Sequence, residues 1–223
     1  MKKKLLAIAI LSVMLSTALM AGNRGGSFSN DIASVIENVD KAPLSSSETS
    51  GILLMREEEK LARDVYLTLY DKWGLRTFSN IAGAESTHMD AMGLLIERYN
   101  LEDPIKSDTI GVFTNPEMQK LYTTLVAQGS KSLADALKVG ATIEDLDIYD
   151  LERLIADSDN DDVKIAYQNL LKGSRNHMRS FGMQLERNGV DYSAQYITDA
   201  DMSKILNSNT ERGTVISNPN FKF

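Results

Sequence analysis

The chain has 223 residues, of which 43% are hydrophobic and 25% are charged, and this composition suits one compact domain with flanking segments. Its formal charge of −7 argues against nucleic acid or an anionic membrane as the partner and favours cations. The chain contains no cysteine, which excludes disulfides, Cys nucleophiles and Cys-ligated zinc or iron–sulfur centres, so any metal must be bound by carboxylates and imidazoles.

The N-terminus has the pattern of a secretory signal peptide. Three lysines precede an apolar stretch from Leu5 to about Ala21, which ends in small residues. We therefore expect residues 1–21 to be removed on export to the periplasm or the cell exterior; the loss of three lysines and no acid changes the formal charge to −10. A retained membrane anchor is the alternative, because about 17 apolar residues approach the shortest spanning helix. No cysteine follows the apolar stretch, so a lipoprotein anchor has no attachment point.

Composition divides the rest of the chain into one folded unit and two flanking segments. Residues 22–47 are rich in Ser, Gly and Asn, which is typical of a flexible linker. Residues 207–223 have the composition of a loose C-terminal tail. The folded domain is therefore expected over residues 48–206.

Within this domain, apolar residues recur at intervals of three and four, which predicts four long helices. A capping box of Ser45 and Glu48 marks the start of the first helix, and Gly74 suits its end. The predicted spans are residues 45–74, 78–99, 132–156 and 163–189.

The lengths of the connections predict how these helices are arranged. Helices one and two, and helices three and four, are joined by short segments, so each pair should form an antiparallel hairpin. The link between the pairs, residues 100–131, is long and contains a shorter helix with Pro116 at its first position. We expect an all-α fold, a four-helix bundle of two antiparallel hairpins with a long crossover containing a short helix.

The first predicted helix carries a carboxylate on the face that should be buried. Glu59 is separated by three or four residues from Met55 and Ala62, so it lies on the apolar stripe. Glu58 lies about 100° further round the helix and is the weaker candidate for an inward position.

The other three predicted helices also carry polar residues on their inner faces. Glu85 and His88 are three residues apart on the second helix, and Glu144 and Asp147 have the same spacing on the third. His177 lies on the inner face of the fourth. Both histidines of the chain are therefore expected to point inward from different helices.

These buried carboxylates have two interpretations. Ion pairs with Arg63, Arg153 or Arg175 would neutralise them. A metal site would use all the groups at once, because carboxylates bridge and neutralise cations while neutral imidazoles occupy terminal positions. The inward placement of both histidines favours the metal site.

The segments EEEKLARDVY, FSNIAGAESTHMDAM, ALKVGATIEDLDIYDL and LLKGSRNHMRSF resemble the ferritin-like, rubrerythrin-type superfamily of di-iron carboxylate bundles. Residues from about 50 to 200 are most similar to a bacterial family of that superfamily, the DUF2202 domain family. The resemblance implies that the first helix contributes Glu59, with Ala62 and Tyr66 at the expected spacings. It implies an ExxH pair at Glu85 and His88, a carboxylate at Glu144, and a second ExxH on the fourth helix.

The fourth segment departs from the superfamily pattern. Ser174, not a glutamate, stands three residues before His177, so one expected carboxylate is missing. Asp147 lies one turn after Glu144 and is our hypothesis for the substitute ligand. The expected metal ligands are Glu59, Glu85, His88, Glu144, Asp147 and His177, with Glu58 as the weaker candidate.

The resemblance implies one or two bound iron ions, with Mn or Zn as alternatives, and oxidase- or peroxidase-type or iron-handling activity. A separate electron donor is expected if the centre is redox-active, because the chain has no CxxC for an accompanying iron centre. We expect no nucleic-acid partner and no stable membrane association after signal removal, and we leave a homodimer open. The alternatives are a non-catalytic helical binding or structural protein and a mononuclear site held by Glu85, His88, His177 and one further acid.

Overall fold

The computed structural model describes residues 32–216, and this range contains seven helices and no strand. The predicted all-α fold is therefore confirmed. No helix within 32–216 is long and apolar enough to cross a bilayer. The predicted signal peptide, residues 1–21, lies outside the described residues. The helices are α1 (residues 32–37), α2 (Ser46–Trp73), α3 (Arg76–Tyr99), α4 (Pro116–Gly129), α5 (Leu133–Asp157), α6 (Asp161–Arg187) and α7 (Asp199–Asn207).

The four long helices, α2, α3, α5 and α6, pack side by side around one apolar core. α2 packs along α3 and α5 along α6, while α2 also contacts α5 and α3 also contacts α6. Short connections join α2 to α3 and α5 to α6, so the helices of each of these two pairs are antiparallel. Near one end, the rings of Tyr66, Phe78 and Phe181 meet at centroid distances between 5.4 and 6.2 Å. Each helix of the four therefore has one face turned toward a shared interior.

The ends of α2 form as the sequence predicts. The Ser45 side chain accepts from the Glu48 N–H, and the Glu48 side chain accepts from the Ser45 N–H. Gly74 ends the helix with a φ of 66°, which is the left-handed conformation that glycine adopts without strain. Glu48 has a second role, because its other oxygen accepts the backbone N–H groups of Asp159 and Asn160 between α5 and α6. One carboxylate thus links the start of α2 to the α5–α6 connection.

The crossover between the two hairpins contains α4, which begins at the predicted Pro116 and packs against α2 and α5. Trp73 Nε1 donates to the Gly129 carbonyl oxygen at the end of α4. Asp64, buried on α2, pairs with Lys60 and accepts the N–H of Gly111. These contacts fasten the crossover along the outer side of α2.

The described parts of both flanking segments contain ordered contacts with the domain. Within the expected linker, residues 32–37 form α1, which buries Ile32 and Ile36 in the core. α7 lies inside the expected domain but was not predicted as a helix. Beyond it, Glu211 of the expected tail pairs with Arg175 and Arg179 of α6. Short amphipathic or charged segments of this kind carry too few periods to stand out from a linker, so only packing reveals them.

Gly140 provides a test of the packing between α5 and α6. A Cβ at this position would lie 2.3 Å from Cε1 of Phe181, which is too close for a van der Waals contact. We expect Gly140→Ala to lower the free energy of unfolding by about 1–3 kcal/mol, measured by chemical denaturation. The matched control is Gly83→Ala, where a Cβ meets nothing within 4 Å. That change should raise stability by up to about 1 kcal/mol because alanine favours helix; equal effects at the two positions would contradict the packing described.

Candidate metal centre

Glu85 of α3 lies between the two histidines of the protein. Its Oε2 is 2.8 Å from Nδ1 of His88, and its Oε1 is 2.9 Å from Nδ1 of His177. The imidazole rings stack at a centroid distance of 5.5 Å. Glu85 therefore presents one oxygen to each histidine, and it is 1% exposed.

Two further carboxylates complete two groups of possible ligands. Oε2 of Glu59 lies 3.1 Å from His88 Nδ1, and Oε2 of Glu144 lies 3.4 Å from His177 Nδ1. The first group is Glu59, Glu85 and His88, and the second is Glu85, Glu144 and His177; within each group the ligand atoms lie within 4.8 Å of one another. We call these groups the first and second triads. All four long helices contribute, and Glu85 belongs to both triads.

Several of these close contacts are not hydrogen bonds. In the second triad, Nδ1 of His177, Oε1 of Glu85 and Oε2 of Glu144 are all buried without a hydrogen-bond partner among residues 32–216. In the first triad, Oε1 of Glu59 is also buried without a hydrogen-bond partner among these residues. Two ligands bound at about 2.1 Å to one ion, at a right angle, would stand about 3 Å apart. The spacing and the unsatisfied atoms of the second triad are thus what a shared cation would also produce, whereas in the first triad Nδ1 of His88 and Oε2 of Glu59 form a hydrogen bond at 3.1 Å.

Burial and charge act in opposite directions on these groups. Burial disfavours ionisation of Glu85, but His177 and His88 outweigh it and hold the pKa of Glu85 below its ordinary value. Burial, together with the charge of Glu85, raises the pKa values of Glu59 and Glu144. Burial would lower the pKa of His88, but Glu59 and Glu85 raise it to about 9. Without a cation, the cluster therefore holds extra protons.

Neighbouring residues hold the side chains of the triads in place. The Tyr66 hydroxyl donates to Oε1 of Glu144 at 2.5 Å, which orients that carboxylate from its second oxygen. Gly173 was not predicted as a site residue, yet a Cβ there would lie 2.4 Å from Nε2 of His88. Glycine at this point of α6 therefore makes room for the His88 ring. The position of Gly173 on the inner face of the predicted fourth helix was the feature of the sequence that could have indicated this space.

The arginines considered as counter-ions bind elsewhere. Arg63 pairs with Asp64 and Asp108, Arg153 with Asp150, and Arg175 with Glu211. Each of the three thus has a carboxylate partner outside the triads. Among residues 32–216, the ion pairs of the triad carboxylates are with the two histidines.

The remaining candidates lie beside the triads. Ser174 is buried, and its hydroxyl donates to the Leu170 carbonyl oxygen of its own helix. Asp147 is buried on α5 but belongs to neither triad. Glu58 and Asp147 instead line a small cavity on the outer side of the cluster. The role of Asp147 as a substitute ligand stays a prediction.

Comparison with known proteins gives the family of this chain. The model of the DUF2202 family, described as an uncharacterized protein domain, matches residues 48–209. An uncharacterized protein of Methanocaldococcus jannaschii is 57% identical over 178 residues, which are 80% of this chain and 96% of that protein. The crystal structure of a hypothetical protein from Methanococcus jannaschii superposes with a TM-score of 0.77 at 57% identity, covering 78% of this chain and 99% of that one.

The pKa shifts predict how stability depends on pH when metal is absent. Folded Glu59 and Glu144 keep their protons above the ordinary carboxyl pKa of 4.5, and folded His88 keeps its proton up to about pH 9 instead of 6.5. The folded state thus binds more protons than the unfolded state, so stability should fall as pH rises from about 4.5 to 9. Thermal unfolding with a chelator present should show a midpoint that decreases across this interval.

A divalent cation should reverse this trend, because it binds the deprotonated ligands. The gain in unfolding temperature on adding Mn²⁺ should grow as pH rises. A chelator-treated protein whose unfolding temperature is constant from pH 5 to 9 would contradict the electrostatics of the cluster.

Proposed function

Starting from a chain that belongs to the DUF2202 family, we propose that this protein binds two divalent transition-metal ions, one in each triad. The observation that supports the proposal is the shared Glu85, whose two oxygens each face a different histidine. The triads bring three carboxylates and two imidazoles together in a buried site. This is a donor set that suits iron and manganese.

The residues would divide the work of binding. Glu59 and His88 would hold one ion, Glu144 and His177 the other, and Glu85 would contribute one oxygen to each. Three carboxylates neutralise most of the charge of two divalent ions, which offsets the cost of burying either alone. The hydrogen bond from Tyr66 would keep Glu144 turned toward the second triad.

We further propose that the four long helices form a ferritin-like bundle of the rubrerythrin type. Support comes from the arrangement of α2, α3, α5 and α6 as two hairpins with α4 in the crossover, and from one ligand-bearing face on each helix. When bound, iron would supply the electrons for reduction of oxygen or peroxide. Ser174 supplies no carboxylate, so the second triad has one ligand fewer than the usual set.

Metal stoichiometry tests the proposal. Protein purified without chelators, or loaded with Fe(II) or Mn(II), should contain two ions per chain by elemental analysis. Glu85→Gln should lose both, because it removes a ligand from each triad. Glu59→Gln and Glu144→Gln should each retain about one ion, since each change affects one triad.

The matched control is Glu97→Gln, an exposed glutamate on the same helix as Glu85. It should load as the unchanged protein does. One ion per chain would indicate instead a mononuclear site built on Glu85 and the two histidines. No bound metal in the unchanged protein would sink the proposal and favour a structural role for the helices.

A further inference from the structure

A small cavity lies between α2, α4 and α5, and Glu58, the neighbour of Glu59 in the chain, lines it. It encloses about 40 Å³. A single water needs about 10–15 Å³ of such space, so the cavity has room for one ion with a water ligand. Its polar lining comes from Glu58, Asp147, Thr142 and Tyr196, and its remaining walls are aliphatic.

Glu58 is the unusual member of this lining. It is 7% exposed, and its Oε2 is buried with no hydrogen-bond partner among the described residues. A buried carboxylate oxygen without a partner is strongly unfavourable unless a proton or a cation compensates it. Asp147, which also lines the cavity, is 3% exposed. No described residue that lines the cavity carries a positive charge.

Both carboxyl groups of the cavity lie close enough to neighbouring acids to be affected by their charge. Burial raises the pKa of Asp147, and the charges of Glu59 and Glu144 raise it further; burial and the charge of Asp150 likewise raise the pKa of Glu58. Asp150 is only half-buried and forms an ion pair with Arg153. Asp147 therefore interacts with a carboxyl group of each triad, and Glu58 interacts with an acid outside the triads.

The outer wall of the cavity is held in a fixed position. Tyr196, 43% exposed, belongs to the segment that follows α6. Asp145 accepts the N–H groups of Gln195 and Ile197 and the hydroxyl of Tyr192. The segment is thus anchored on both sides of Tyr196, and the cavity reaches close to solvent at that ring.

We propose that Glu58 and Asp147 form a separate divalent-cation site, through which metal passes from solvent to the triads. The inference rests on the proposed function only for the destination of the ion, since the site itself depends on the cavity and its two carboxylates. Oxygen ligands from two acids and one or more waters suit Mn(II) and Fe(II), which exchange such ligands readily. Because the protein would supply only two ligands, the ion would be bound loosely and could move on to the triads.

Metal titration and uptake kinetics of the full chain test this proposal, with Mn(II) alone as the probe. At equilibrium we expect a third, weaker Mn(II) ion per chain in the unchanged protein, and its loss in Glu58→Gln and Asp147→Asn. Glu58→Gln should keep the two tightly bound ions, because Glu58 belongs to neither triad. Uptake of those ions by metal-free protein, followed by stopped flow, should be roughly tenfold slower or more, because the carboxylates no longer concentrate cations at the entrance.

The control is Glu57→Gln, which alters the neighbouring residue of the same helix outside the cavity. Glu57 accepts a hydrogen bond from Asn115, which glutamine can preserve. This variant should bind the third ion and load at the unchanged rate. Circular dichroism should show the same helix content in all three variants.

The outcomes separate this inference from the proposed function. An unchanged third ion and unchanged uptake in Glu58→Gln would overturn the inference while leaving the triads intact. Loss of a tightly bound ion in Asp147→Asn would also overturn it, because Asp147 would then be a ligand of the triads. Absence of tight ions in the unchanged protein would instead defeat the proposed function.

Discussion

The buried carboxylate of Glu85 between two imidazoles is the interaction on which the interior of this protein depends. An isolated carboxylate at 1% exposure would be far too costly to retain, so its environment must supply positive charge. His88 and His177 supply it from α3 and α6, while burial and the charge of Glu85 oppose ionisation of Glu59 and Glu144, which lie beside the same histidines. The apolar core that holds the helices together thus surrounds three carboxyl groups and only two imidazoles. A bound cation would neutralise the carboxylates.

Packing and chemistry are joined at single residues in this interior. Tyr66 packs against Phe78 and Phe181 while its hydroxyl donates to Glu144. Gly173 of α6 leaves the space that the His88 ring of α3 occupies. Because the two triads draw their side chains from four helices, any change in helix register would separate these side chains. The precision of the cluster is therefore a property of the whole helical core and not of one loop.

Local signals in the sequence predicted most of the fold. The capping box of Ser45 and Glu48 and the glycine at position 74 define α2 through interactions within a few residues, so both ends were predictable. α1 and α7 were missed because each is too short to develop a periodic pattern. In the centre, Glu59, Glu85, His88, Glu144 and His177 could be chosen from helical spacing. Asp147 shares that spacing but is in neither triad, since its distance from the other ligands depends on how α5 is rotated against α2 and α6.

The carboxylate of Glu48 keeps its charge at a lower pH than the carboxyl groups of the triads do. Burial opposes its ionisation, but hydrogen bonds from Asn160, Ser45 and Asp159 lower its pKa to about 2. Glu59 and Glu144, in contrast, gain protons already above pH 4.5. Between about pH 2 and pH 4.5, Glu48, which joins α2 to the α5–α6 connection, therefore stays charged while Glu59 and Glu144 are neutral. Mild acid should therefore protonate the interior carboxyl groups before it weakens the hydrogen bonds that join α2 to the α5–α6 connection.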